Sequence, residues 1–267
     1  MTQLIEKQPI ERPAVVRWPP KVDLFGVGMS VTDYAAAIEC VIDAARRRRS
    51  AVVSCHAVHA LVTASGDPDL RAKVNGFELV TPDGQPVRWA MNLLHHTGLT
   101  DRVYGPELML RLCRAAAEED VSIYLYGGTP AVMDRLQENL LKLCPGLRIA
   151  GVDIPPFRPL SPEEDRAAVE QINRSGAGLV FVGLGCPKQD IFAAEHRDRI
   201  RAVKVCVGAA FDFHAGVKRV APVWMQRRGL EWLYRLLQEP GRLWRRYLVT
   251  NSVFLAKLAS AYVRGGS

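Results

Sequence analysis

The feature that most constrains this chain is residues 178–190, Gly-Leu-Val-Phe-Val-Gly-Leu-Gly-Cys-Pro-Lys-Gln-Asp. Leu179, Val180, Phe181 and Val182 form a short unbroken apolar run bounded by glycine, the pattern of a strand buried on both faces in a parallel sheet. Such a strand belongs near the middle of its sheet. Gly183 and Gly185 allow a sharp turn with close backbone approach to a ligand, and Pro187 suits the first position of a following helix. Lys188 and Gln189 then fall in the first helical turn, at the carboxyl end of a central strand, where open α/β sheets bind ligands. A glycine-rich strand-to-helix connection without a complete fingerprint is also an ordinary turn, so the motif needs others beside it before it means a site.

The rest of the chain supplies them. Residues 1–20 carry four prolines and no periodicity, and read as a loose N-terminal extension. Strands are expected over 22–27, 51–55, 77–80, 121–126, 147–154 and 203–207, with helices between them over 34–46, 85–95, 106–118 and 161–173. Strands alternating with helices at this spacing predict βαβ crossovers, hence a Rossmann-like, mostly parallel sheet flanked by helices. One α/β domain over 21–216 follows, with a separate tail over 217–267.

Several polar residues fall just beyond predicted strand ends. Thr81-Pro82-Asp83-Gly84 makes a tight turn that projects a carboxylate at the sheet's carboxyl edge, although aspartate is a favoured turn residue in its own right. Gly127-Gly128-Thr129-Pro130 repeats the strand, glycine turn, helix grammar, and backbone N–H groups at such a helix start can hold a phosphate or a sugar hydroxyl. Asp212 follows the last strand. Asp83, the Gly127 turn, Gln189 and Asp212 are therefore expected to gather on one edge. Arg102 is either a surface arginine or an anion contact. His56 and His59 are three apart but have no third ligand spaced to join them. Asp67-Pro68-Asp69 matches a metal-binding DxD pattern, yet Asp67 as N-cap with Pro68 at the first helical position is the better reading.

The formal net charge of +7 points to an anionic partner, and its location is more telling than its size. Residues 217–267 hold ten lysines and arginines against Glu231 and Glu239, so the excess lies wholly in the last fifth. Two helical stretches are expected there, over 222–238 and 240–263, with Glu239-Pro240-Gly241 between them. Trp224, Trp232 and Trp244 interleave with arginines, which fits a membrane-surface helix, a lid over an anionic ligand, or a tail packed on the body with snorkelling arginines. The six cysteines are scattered with no CxxC and read as buried reduced thiols in a cytoplasmic protein. No apolar run reaches the length of a membrane span.

Together these motifs resemble the TagA/WecG/CpsF glycosyltransferases over about residues 22–246. The resemblance rests on Pro82-Asp83-Gly84, on Arg102-Val103-Tyr104-Gly105 and on the 183–189 turn. It extends to Phe211-Asp212 with Ala215-Gly216, to Arg219-Val220-Ala221-Pro222, and above all to Gly229-Leu-Glu-Trp-Leu-Tyr-Arg235 with Glu239-Pro240 and Arg242. It implies an inverting, metal-independent transfer of a sugar from a nucleotide donor, typically UDP-linked, to a saccharide on a polyprenyl-diphosphate carrier at the cytoplasmic membrane face. No cofactor is expected. By the resemblance Asp83 is the general base, and Arg102, Gln189 and Asp212 belong to the donor pocket along with Ser54, His56, Gly127 and Gly128. Arg235, Arg242 and Arg245 neutralise the leaving diphosphate, a task for which planar guanidinium forks suit better than lysine. Ser54-Cys55-His56 stands where the family commonly has Thr-x-Asn, which leaves the donor sugar open.

Two other classes compete with this reading. A Rossmann-type oxidoreductase or epimerase is disfavoured because no glycine turn spells the dinucleotide fingerprint with an acidic residue downstream. A nucleic-acid or membrane-surface binding module would explain the basic tail but not the polar residues at the sheet edge, so no nucleic-acid partner is expected. A tail that buries its tryptophans can do so against lipid or a second subunit, which leaves a homo-oligomer open.

Overall fold

The structure, a computed structural model, describes residues 17–265, so most of the N-terminal extension read over 1–20 lies outside the described residues. The described chain opens with a hairpin of β1 (Lys21–Leu24) and β2 (Val27–Ser30) rather than the single strand expected over 22–27. Phe25 and Gly26 both take positive φ, 61° and 88°, which makes the two-residue primed turn that matches the twist of an antiparallel pair. After this hairpin, α1 (Tyr34–Arg46) starts where the Asp33 side chain accepts from the Ala36 N–H.

Six parallel strands follow, each leading to helix. They are β3 (Ala51–His56), β4 (Leu79–Pro82), β5 (Ile123–Gly127), β6 (Ile149–Asp153), β7 (Leu179–Gly183) and β8 (Val203–Cys206). Between β3 and β4 lie α2 (Val58–Gly66) and α3 (Pro68–Asn75), and the carboxylate of Asp67 caps α3 by accepting from Asp69 and Leu70. The DxD-like triplet is therefore a helix start. Next come α4 (Gln85–His95), α5 (Gly105–Glu118), α6 (Pro130–Leu143), α7 (Pro162–Ser175), α8 (Lys188–Glu195) and α9 (Ala210–His214). Ser161 and Glu164 close a reciprocal capping box on α7. Pro187, expected as the first residue of α8, is its N-cap, with Lys188 and Gln189 in the first turn as predicted.

The sheet order is β4-β3-β8-β7-β5-β6, all parallel. The apolar run that opened the reading is thus one of the two central strands, and Leu179, Val180, Phe181 and Val182 are fully buried. One face packs under α1, α5, α6 and α9 through residues such as Leu108, Leu112, Leu136 and Phe211. The other packs under α2, α3, α4, α8 and the hairpin through Leu61, Leu70, Met91, Phe192 and Met29. β4 begins two residues later than expected, because its pairing with β3 sets Val53 opposite Leu79 and His56 opposite Pro82. Both strands therefore end level, and Asp83 emerges directly at the carboxyl edge.

The tail forms α10 (Val223–Arg227), α11 (Glu231–Gln238) and α12 (Pro240–Gly265). The continuous helix expected over 222–238 is broken at Gly229, whose φ is 68°. A Cβ there would sit 2.9 Å from the Trp89 ring of α4, so glycine is what lets the tail backbone cross the body this closely. Beyond the break α12 lies on α2 and α4 and inserts Leu243 and Phe254 into buried positions, Phe254 meeting Phe25 of the hairpin turn edge-on at 5.7 Å. Among the described residues no helix is long and apolar enough to cross a membrane.

Candidate active site

The carboxyl edge of the sheet and the tail enclose a cavity of about 2100 Å³. Its floor is made by the segments that follow the strands, and one wall by α11 and α12. Asp83, Gly128, Gln189 and Asp212 all line it, so the expected gathering at one edge occurs. Arg102 lines it too, from the segment leading into α5.

Asp83 is fixed by its backbone and by α5. Its N–H donates to the His56 carbonyl at 3.2 Å, and its Oδ2 accepts from the Gly105 N–H at the start of α5 at 3.1 Å. Removal from water is the largest influence on this carboxyl and raises its pKa from 3.8 to about 6. Glu231 pushes the same way, whereas Arg102, the Gly105 hydrogen bond and Arg235 oppose it. A carboxylate poised near neutrality is a competent proton acceptor.

Arg102 is buried to 6% exposure at the seam between body and tail. Its guanidinium donates to Glu231 Oε2 at 2.6 Å and to Gln226 Oε1 at 3.1 Å, and stacks 4.3 Å over the Tyr104 ring. The Tyr104 hydroxyl is held protonated, its pKa raised by burial first and then by Glu231 and Asp83. Gln189, 3% exposed, joins the turns after β7 and β8, its Oε1 accepting from the Gly208 N–H at 2.9 Å. Asp212 lies within α9 and is paired with Lys218 at 2.9 Å, and Lys218 also reaches Glu239 at 3.3 Å. This carboxylate thereby helps to fix the joint where the tail leaves the body.

Arg235, Arg242 and Arg246 line the cavity from the tail. Arg235 sits 5.7 Å over the Phe213 ring, and Arg242 pairs with Glu239 one turn back. Arg245, expected beside them, is not among the lining residues and instead stacks 5.2 Å over Trp244. One residue along α12 turns a side chain by about 100°, which exchanges Arg245 for Arg246 as the inward-facing cation. His59 also lines the cavity, and burial, with Arg246 and Arg235 adding to it, lowers its pKa to about 4. It is a neutral imidazole at physiological pH.

Ser54 and His56 lie behind the lining, on the β3 face that meets α8. Ser54 Oγ donates to Asp190 Oδ1 at 2.6 Å, and His56 Nε2 is 3.7 Å from Asp190 Oδ2, beyond hydrogen-bond reach. Gly127 is also not a lining residue. A Cβ on it would meet the Gly183 backbone at 2.8 Å, so this glycine serves the close approach of two strand ends, and only Gly128 faces the cavity. Among the described residues no group of three or more His, Cys, Asp or Glu side chains is placed to hold a metal ion.

Glu231, Gln226, Tyr104 and Arg246 were not singled out from sequence. Glu231 stands in the most distinctive tail motif, but its partner Arg102 is 129 positions away, and no local pattern links them. Matched against models of protein families, residues 22–266 fit the one described as the glycosyl transferase WecG/TagA/CpsF family.

Proposed function

The chain belongs to the WecG/TagA/CpsF glycosyl transferase family, and from that premise we propose that it transfers a sugar, with inversion and without a metal, from a UDP-type nucleotide donor to a saccharide carried on a polyprenyl diphosphate. In this reaction Asp83 takes the proton of the acceptor hydroxyl as that oxygen bonds to the anomeric carbon. The bond from the anomeric carbon to the diphosphate oxygen breaks on the opposite side, and the nucleoside diphosphate leaves with the electron pair. A single base is what direct displacement requires, and inversion follows from it. The charge growing on the diphosphate must be met by preorganised cations, which Arg235, Arg242 and the neighbouring Arg246 supply.

The observation that carries this reading is one cavity lined both by a carboxyl held near neutrality and by arginines from the tail. The domain division proposed is likewise functional: a donor-binding body over 21–216, and a tail over 217–267 that completes the phosphate site and meets the inner membrane surface. Trp224, Trp244, Leu248 and Leu255 remain exposed on that tail beside its arginines. Ser54 and His56 would act on the donor indirectly, through Asp190 beneath the Gln189 turn, and Gly128 and Asp212 by lining the donor pocket.

The test is a screen of nucleotide sugars with a short-chain polyprenyl-diphosphate saccharide as acceptor, run on the native protein and on Asp83→Asn. We expect turnover with one donor class in the native protein and none in the variant, with UDP affinity by calorimetry the same in both. Full turnover by Asp83→Asn would remove this residue from the chemistry.

A further inference from the structure

Asp83 is surrounded by more charge than a lone base needs. Arg102 and Tyr104 approach it from the segment before α5, Tyr34 from α1, Cys55 from β3, and Glu231 and Arg235 from α11. Of these, Arg102 is the strongest threat to its basicity. A desolvated guanidinium beside a carboxylate favours the ionised pair, and a clamped carboxylate is a poor proton acceptor. Yet the ion pair that forms is Arg102 with Glu231, whose side chains are only 7% and 13% exposed.

We propose that Glu231 is a positioning residue for the base: by taking the Arg102 guanidinium, this tail carboxylate keeps Arg102 from clamping Asp83. Three features support the assignment. Glu231 and Gln226 hold the same guanidinium from the two sides of the Gly229 break, and the Tyr104 ring stacks on its face, so its direction is fixed. Arg102 and Glu231 act on the Asp83 carboxyl with opposite sign. Asp83 itself retains a hydrogen bond from Gly105, which a backbone N–H provides without quenching it. Docking of the tail and basicity of the body's carboxylate are thus one event, because the neutralising acid arrives only with α11.

The proposal rests on Asp83 being the base, and its test keeps the two apart. Carbon-13 NMR of the aspartate carboxyls in the full-length protein reads the Asp83 titration directly, with Asp83→Asn identifying the resonance. In Glu231→Gln we expect the Asp83 midpoint to fall by about one pH unit, a tenfold loss of proton affinity. The acid limb of kcat/KM should move down with it, and the plateau rate should drop. Glu231→Asp should restore part of both, and Arg102→Gln should raise the midpoint. Gln226→Ala is the control, since it removes an uncharged tail contact from the same guanidinium. A role limited to docking would move the titration equally in Gln226→Ala and Glu231→Gln, and that result, or an unmoved midpoint in Glu231→Gln, overturns the proposal. A displaced titration beside an undisplaced rate profile would instead sink Asp83 as the base while leaving its coupling to Glu231 in place.

Discussion

Asp83 carries a cost at the scale of a single residue. Its folded pKa of about 6 lies above the ordinary 3.8, so folding favours its protonated form. The stability this confers is present in acid, below 3.8, and is lost as pH rises through about 6. The loss amounts to roughly 3 kcal/mol at about 1.4 kcal/mol per pH unit. Asp83→Asn should therefore match the native protein in thermal stability in acid, and exceed it by up to roughly that amount above neutrality, while losing turnover. Calorimetric unfolding across the pH range checks this, and equal stability at every pH would contradict it. With Asp83 as the proposed base, the ionised form is the competent one, so kcat/KM should fall as pH drops below about 6. Residues of this kind were legible because each follows a recognisable strand end: Asp83 after 79–82 and Gln189 after a glycine turn. The Arg102–Glu231 pair was not, because a contact between residues 129 apart leaves no periodic trace. Arg245, which the resemblance set among the phosphate contacts, stands one residue from the cavity-lining Arg246, and one step along a helix changes which side chain faces inward.

Among elements, the helices with side-chain caps were the most legible. Asp33, Asp67 and Ser161 each announce a start by supplying an acceptor to orphan N–H groups, and each helix begins beside its cap. The hairpin was missed because Phe25 holds a positive φ that sequence associates with glycine or asparagine, and tertiary packing against Phe254 covers the exception. The break at Gly229 was missed because its reason is the Trp89 ring rather than anything in the tail. That position yields a sharp test of the tail's role. Gly229→Val demands a left-handed backbone from a β-branched residue and drives a side chain into Trp89. It should lift α11 from Arg102 and lower turnover on the order of a hundredfold, the scale of a misplaced catalytic shell. Circular dichroism should report an intact sheet, and limited proteolysis should cut within 217–267. Undiminished turnover would mean that α11 need not dock as described.

For the whole molecule, the tail divides its arginines between two surroundings. Arg235, Arg242 and Arg246 face the cavity, whereas Arg245 is not among its lining residues and stacks over Trp244. Arg245→Gln should weaken binding to anionic vesicles about fivefold, near 1 kcal/mol for one surface charge, and leave UDP affinity intact. Arg242→Gln should do the reverse. Co-sedimentation with vesicles and calorimetry with UDP separate the two, and a loss of UDP affinity in Arg245→Gln would return that residue to the phosphate site. One wall of the cavity is therefore drawn from the tail rather than from the body. A body without α11 and α12 would lack that wall, and with it Glu231, Arg235, Arg242 and Arg246. Under the role proposed for the tail arginines, a chain cut before α11 should show no turnover, and undiminished turnover by such a chain would contradict that role.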